Sequence, residues 1–230
     1  MKKIVLKEEI VYILAIILLS FSVALIAASN FGVSMIVAPA YLISLKFTAL
    51  TFGQAEYVVQ AIVFILLCLI LKKFKFTYAF SFVTCIIYGG FLDLWRNVIP
   101  ILNPAIYATG EFNIYLRIIM FVVGVVLTSF SVALFFRVYL FPQVYDFFSK
   151  AVSKKFIIEI SKFKRCFDLT CLVIALILSL VFFKEIKGIG IGTIIMTFIN
   201  GILIGWFLKF LDKYFIFEPY FKKLKQKFEI

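Results

Sequence analysis

Apolar residues run along this chain in blocks of about twenty, the length an α-helix needs to cross ~30 Å of hydrocarbon. Ile10 to Ser29 is the first block and follows a segment carrying Lys2, Lys3 and Lys7. It is longer than an ordinary signal core and part of it recurs mid-chain, so it reads as a span, not a cleaved leader. Ala55 to Leu71 is the second span, closed by Lys72, Lys73 and Lys75, and Thr77 to Leu102 is the third. Ile114 to Val138, Cys166 to Phe183 and Gly188 to Phe210 are the fourth, fifth and sixth. Phe31 to Gly53 and Phe141 to Lys164 break this rhythm, because glycine, proline, serine and lysine interrupt moderately apolar sequence. Their apolar pieces suit a re-entrant or interfacial segment better than a crossing.

The blocks fall into two copies. Ser20-Phe21-Ser22-Val23-Ala24-Leu25 returns unchanged at Ser129-Phe130-Ser131-Val132-Ala133-Leu134, a shift of 109 positions in 230 residues. Flanking residues follow at nearly the same shift: Ile43 to Phe47 meets Val152 to Phe156, and Gly90 to Trp95 meets Gly201 to Trp206, which brings the two tryptophans together. The loop 103–113, with Pro104 and Gly110, divides residues 1–103 from 104–230. Three spans per copy is an odd number, so the second copy enters the membrane from the opposite face. The expected fold is therefore an all-α membrane protein of six transmembrane helices in two inverted three-helix repeats, each with a short re-entrant or interfacial segment after its first helix.

Composition fits the bilayer: 64% of residues are hydrophobic and 16% charged, against roughly 45–50% apolar in a soluble domain. The net charge of +12 gains meaning from position. With a cytoplasmic amino terminus, 19 of the 24 lysines and arginines fall on the inner side, leaving Lys46, Arg96, Arg117, Lys184 and Lys187 outside. The positive-inside rule then places both termini in the cytoplasm. The basic excess serves orientation and contact with anionic lipid, and no nucleic-acid partner is expected. Cys68, Cys85, Cys166 and Cys171 show no metal or redox spacing, and histidine is absent. No cofactor, metal or enzymatic chemistry is called for.

Charged and amide groups inside spans are costly and mark function or pairing. Asp93 and Arg96 stand one turn apart on the third span, and Arg165 and Asp168 repeat that spacing on the fifth. Glu56 lies one turn from Gln60 at the start of the second span, where a carboxylate could recruit a cation or simply favour a helix amino terminus. Asp146, beside Pro142 and Tyr145, is at depth if its segment is re-entrant and solvated if not. Asn200, in the middle of the sixth span, needs a partner in the bundle or a polar cavity. Gly188 with Gly192, and Gly201 with Gly205, have the spacing that lets helices approach closely. Trp95 and Trp206 read as interface anchors.

Lys164-Arg165-Cys166-Phe167-Asp168-Leu169, Gly188-Ile189-Gly190-Ile191-Gly192-Thr193, Gly201-Ile202-Leu203-Ile204-Gly205 and Gly89-Gly90-Phe91-Leu92-Asp93 together resemble the YczE/YitT group of bacterial polytopic membrane proteins, in its YczE-like branch. The family's Gly-Val-Ser-Pro-Trp-Asp-like turn survives as Gly32-Val33-Ser34 before Met35 departs from it, and as Pro142 and Asp146 at altered spacing in the second copy. The resemblance implies a six-span protein of the bacterial inner membrane and supports no particular activity. The expected function is a transporter or permease for a small solute, worked by alternating access between the repeats. Asp93, Asp146, Asp168, Asn200, Arg165 and Glu56 are its candidate contacts. The alternative is a non-transporting binding or accessory subunit that works with a separate complex. Either leaves room for a homo-oligomer or for a partner subunit in the membrane or cytoplasm.

Overall fold

The computed structural model describes residues 3–103 and 112–228, so Pro104 and Gly110 of the expected boundary lie outside the described residues. Helices dominate. In chain order they are β1 (Ile4–Lys7), α1 (Glu8–Ser29), α2 (Ala38–Lys46), α3 (Phe52–Leu71), α4 (Ala79–Val98), α5 (Ile114–Phe135), α6 (Val144–Phe156), α7 (Ile160–Phe183), α8 (Ile191–Tyr214), β2 (Phe215–Glu218) and α9 (Lys222–Phe228). Among the described residues, five helices, α1, α3, α5, α7 and α8, are long and apolar enough to cross a membrane. Their outward faces carry Ile62, Leu69, Val122, Val181, Phe198 and Ile202, all exposed. Such faces are stable against lipid and not against water, and the chain is an α-helical multi-pass membrane protein. α4 is as long as α3, at 20 residues, but Ser81, Thr84, Gly89, Gly90, Asp93 and Arg96 dilute its apolar content.

The duplicated serine motif forms the centre. α1 packs along α5, and the small residues of both copies let the backbones approach, with Ala24, Ala28 and Ala133 wholly buried. A Cβ on Gly124 would come within 2.6 Å of Ile26 and 3.1 Å of the Ser22 carbonyl. Three of the four motif serines bond within their own helices: Ser20 Oγ donates to Ile17 O at 2.9 Å, Ser22 Oγ to Leu19 O at 2.8 Å and Ser131 Oγ to Leu127 O at 2.7 Å. Thr128 then donates to Ser22 Oγ at 2.8 Å across the seam.

Around this axis α4 packs on α1, α8 on α5, α2 on α3 and α7, and α6 on α3 and α7. The irregular segments become short helices preceded by turns. Asn30 at φ 54° ends α1, and Gly32 at φ 99° turns the chain, a conformation glycine tolerates without strain. Thr51 caps α3 in a capping box with Gln54.

One element is absent from the sequence expectation. β1 pairs in parallel with β2, Ile4 opposite Phe215 through Lys7 opposite Glu218. Glu8, 2% exposed, accepts from the Tyr139 backbone N–H at 2.8 Å and pairs with Lys225 at 3.0 Å. Glu9 accepts the Tyr220 and Phe221 N–H groups and the Tyr139 hydroxyl. These bonds gather the N-terminal residues, the turn after α5 and the C-terminal segment at one end of the bundle.

Candidate functional site

The turns before α2 and α6 each reach a helix of the other half through a threonine. Thr193 Oγ1 on α8 donates to Val33 O at 2.7 Å, and Thr84 Oγ1 on α4 donates to Phe141 O at 3.0 Å. Thr84 and Thr193 are 109 positions apart, the shift of the serine motif. The first contact needs the glycine run: Gly192 N–H donates to Phe31 O at 2.8 Å and Val33 N–H to Gly188 O at 3.1 Å. A side chain on Gly190 would strike the Phe31 carbonyl at 2.5 Å. Gly190 and Gly192 therefore serve close backbone packing against the 31–33 turn, whereas the spacing of Gly188 and Gly192 predicts an approach of two helices; Gly188 and Gly190 precede α8, and Gly188, at φ 70°, lies against Tyr41. Gly201 and Gly205 do not, because a Cβ at either has nothing within 4 Å.

Between these crossings lies a cavity of about 370 Å³. Its walls come from α1 (Leu19, Val23), the 34–37 turn, α4 (Tyr88), α5 (Thr128, Val132), Gln143 with α6 (Tyr145, Asp146), α7 (Lys164, Arg165, Asp168) and α8 (Met196, Thr197, Asn200, Gly201, Ile204). Four of the six residues singled out in the sequence, Asp146, Arg165, Asp168 and Asn200, meet here. Asp146 occupies the first turn of α6 and pairs with Lys164 at 2.9 Å. Asp168 stands eight residues into α7, about 12 Å along the helix at 1.5 Å per residue, and its Oδ1 is buried without a hydrogen-bond partner. Asn200 Oδ1 accepts from Ser129 Oγ at 3.3 Å.

Glu56 sits just behind the wall and is fully buried. Its Oε2 accepts from Gln60 Nε2 at 3.0 Å and from the Tyr145 hydroxyl at 3.1 Å, while Oε1 has no partner. Gln60 continues the network, donating to Gln143 Oε1 and accepting the Val144 N–H, both at 3.2 Å. This polar cluster fixes the start of α6 on α3 and presents Tyr145 and Gln143 to the cavity.

Asp93 lies elsewhere. Its Oδ2 accepts from Thr51 Oγ1 at 2.5 Å and its Oδ1 from the Gly53 N–H at 2.9 Å, so the carboxylate holds the start of α3 against α4. The expected pairing with Arg96 is replaced by these bonds, and the Arg96 guanidinium lies 5.1 Å over the Phe52 ring. Trp95 is likewise not a simple interface anchor: its Nε1–H donates to Ser20 Oγ at 3.0 Å and its ring packs on Phe21 and Phe91. Trp206, 59% exposed, keeps the position of one.

Sequence reasoning missed Lys164 and Gln143 as wall residues. Lys164 is four residues before Asp168 and hence on its face of α7, a signal present but masked by the surrounding lysines. Gln143 carried none, since its place depends on how α6 docks.

The site is thus a cavity between membrane helices with two carboxylates, two basic groups and two amides on its walls. Among the described residues no group of three acidic or cysteine side chains could hold a metal ion. No curated protein and no solved structure matches the chain. Residues 6–209 match DUF6198, a family of unknown function, and the chain belongs to that family.

Proposed function

We propose that this protein is a transporter of a small solute, built from two inverted three-helix repeats that rock about a binding site between them. The observation that carries the reading is the cavity: both halves wall it, and Asp168, eight residues into α7 with a buried oxygen that lacks a hydrogen-bond partner, is the kind of ionisable group in a membrane helix that is costly and marks function. The reciprocal Thr84 and Thr193 bonds support the repeat, because a threonine near the start of the last helix of each half holds the turn of the other. An even number of crossings is supported by the β1–β2 pair, which lies directly before α1 and directly after α8. With α4 counted as the sixth span, both ends face one side. The lysine bias makes that side the cytoplasm, and kinship with the YczE/YitT group would make the membrane a bacterial inner membrane.

In this reading Asp168 and Asn200 contact the solute, the Asp146–Lys164 pair sets the local field, and Glu56 positions Tyr145. The test is purified protein in liposomes against a panel of amino acids, sugars, amines and inorganic cations, scored by thermal stabilisation and by uptake, since a specific ligand stabilises by mass action. A ligand that stabilises and is moved, with both effects lost in Asp168→Asn, is the expected result. Stabilisation without movement would overturn transport in favour of a binding subunit that serves a separate complex.

A further inference from the structure

The second membrane helix of each half, α3 or α7, ends on a lysine in the left-handed conformation, Lys72 at φ 51° and Lys184 at φ 58°. Each end is covered from the short helix of the other half. Lys155 in the last turn of α6 donates to Ile70 O, and Lys46 in the last turn of α2 donates to Phe182 O at 3.3 Å. Lys46 and Lys155 are 109 positions apart, again the shift of the serine motif. A cation therefore already sits at the carbonyl end of either helix, where the dipole favours one, and the lysines of the turns are left for another use.

Here the two turns part ways. After α7, Glu185 pairs with Lys187 at 3.3 Å, and Ser179 Oγ donates to Glu185 O and accepts the Lys187 N–H. After α3 the chain reads Lys72-Lys73-Phe74-Lys75-Phe76, and residues 57–92 include no acidic side chain. Among the described residues, the ammonium groups of Lys72, Lys73 and Lys75 make no ion pair and no hydrogen bond. Lys72 and Lys73 border a groove of about 450 Å³ whose apolar floor is Phe64, Ile65, Cys68 and Leu69 of α3, closed by Phe74, which meets Phe64 edge-on at 6.4 Å. Ile65, Leu69 and Phe74 are exposed. Phe64 to Lys72 covers about 12 Å at 1.5 Å per residue, which fits within one leaflet of a ~30 Å hydrocarbon core. Such a groove takes an acyl chain. Two ammonium groups at its mouth, with no carboxylate to answer them, match an anionic head group, whereas a zwitterionic one would bring a cation to a cluster that holds no acceptor for it.

We propose that the end of α3 is a binding site for an anionic phospholipid, with one acyl chain along Phe64, Ile65, Cys68 and Leu69 beneath Phe74 and the phosphate between Lys72 and Lys73. The site shares no lining residue with the solute cavity and does not depend on the transport reading. The test uses the full chain in a non-ionic detergent, counting retained lipid by native mass spectrometry and following the melting midpoint. Phosphatidylglycerol should stay bound and raise the midpoint. Phosphatidylcholine with the same chains, and glycerol phosphate with none, should do neither. One lysine at an anionic head group supplies about fivefold in affinity, so the double variant Lys72→Gln, Lys73→Gln should need about twenty-five-fold more phosphatidylglycerol for the same shift. Ile65→Trp, at an exposed position on the groove floor, should reduce retention with every lysine kept. The double variant Lys184→Gln, Lys187→Gln in the other turn should behave as the unmodified chain. Equal losses in the two lysine pairs would make the attraction a diffuse effect of net charge and overturn the proposal. Equal retention of phosphatidylcholine, stabilisation by glycerol phosphate as strong as by the lipid, unchanged retention in Ile65→Trp, or no retained phosphatidylglycerol on the unmodified chain would each overturn it as well.

Discussion

Gly53→Ala and Gly205→Ala should move stability in opposite directions although both place a methyl group on a membrane helix. At Gly53 the new Cβ would overlap the Gly89 carbonyl oxygen and come within 2.6 Å of Asp93 Oδ2. The obstacle is backbone, so α3 and α4 must separate and the Gly53 N–H bond to Asp93 must stretch. Overpacking of this kind costs roughly 1–3 kcal/mol, from which about 1 kcal/mol of improved helix propensity is subtracted. A net loss of up to ~2 kcal/mol lowers the midpoint by up to about 8 °C for a chain of this size. At Gly205 nothing lies within 4 Å, only the propensity gain remains, and the midpoint should rise by about 2–4 °C. The assay is loss of the monodisperse peak on size exclusion after heating in detergent. Equal midpoints for the two variants would refute the close α3–α4 crossing at Gly53 and the open surroundings of Gly205 together.

The reciprocal threonines give a paired expectation: Thr84→Val and Thr193→Val should each cost about 1–3 kcal/mol, because each leaves a buried carbonyl without its donor, and a chemical-denaturation series should show them alike. Asp93→Ala should lower stability by about 1–2 kcal/mol through loss of the N-terminal bonds of α3, with solute or lipid stabilisation unchanged at saturating ligand. Cysteine labelling in a background lacking Cys68, Cys85, Cys166 and Cys171 checks the crossing number. Lys73→Cys and Lys222→Cys should react from one side and Lys187→Cys from the other. If α4 does not cross, Lys187→Cys would share a side with Lys73→Cys and Lys222→Cys would not.

The hydrophobic blocks were readable because each must supply its own helix and most of its own lipid contact, so local sequence suffices. The repeat of Ser20 to Leu25 was readable as letters, but that its small residues bring α1 and α5 together at the centre was not, since only the docking of the two helices reveals it. Asp93 was not placed correctly by its spacing from Arg96, because a carboxylate near a helix start can bond backbone N–H groups that no side-chain pattern reveals. Gly201 and Gly205 carry the same letters as a packing motif, but only the docking of α7 decides whether a partner is present. Asp146 and Lys164 are 18 positions apart and belong to different elements, so their pairing is a product of how α6 inserts. The β1–β2 pair is further still from local information, as its residues stand 211 positions apart.

That last contact has a consequence for how the protein is made. Ile4 to Lys7 leaves the ribosome 211 residues before its partner strand Phe215 to Glu218, so β1 waits with an unfilled edge while all the helices between them are synthesised. Glu8 and Glu9 wait equally long for Lys225, Tyr220 and Phe221. A chain stalled or cut before β2 would display a short apolar strand and two acidic groups lacking those partners beside the membrane, a mark by which quality-control proteases could tell an unfinished copy from a finished one.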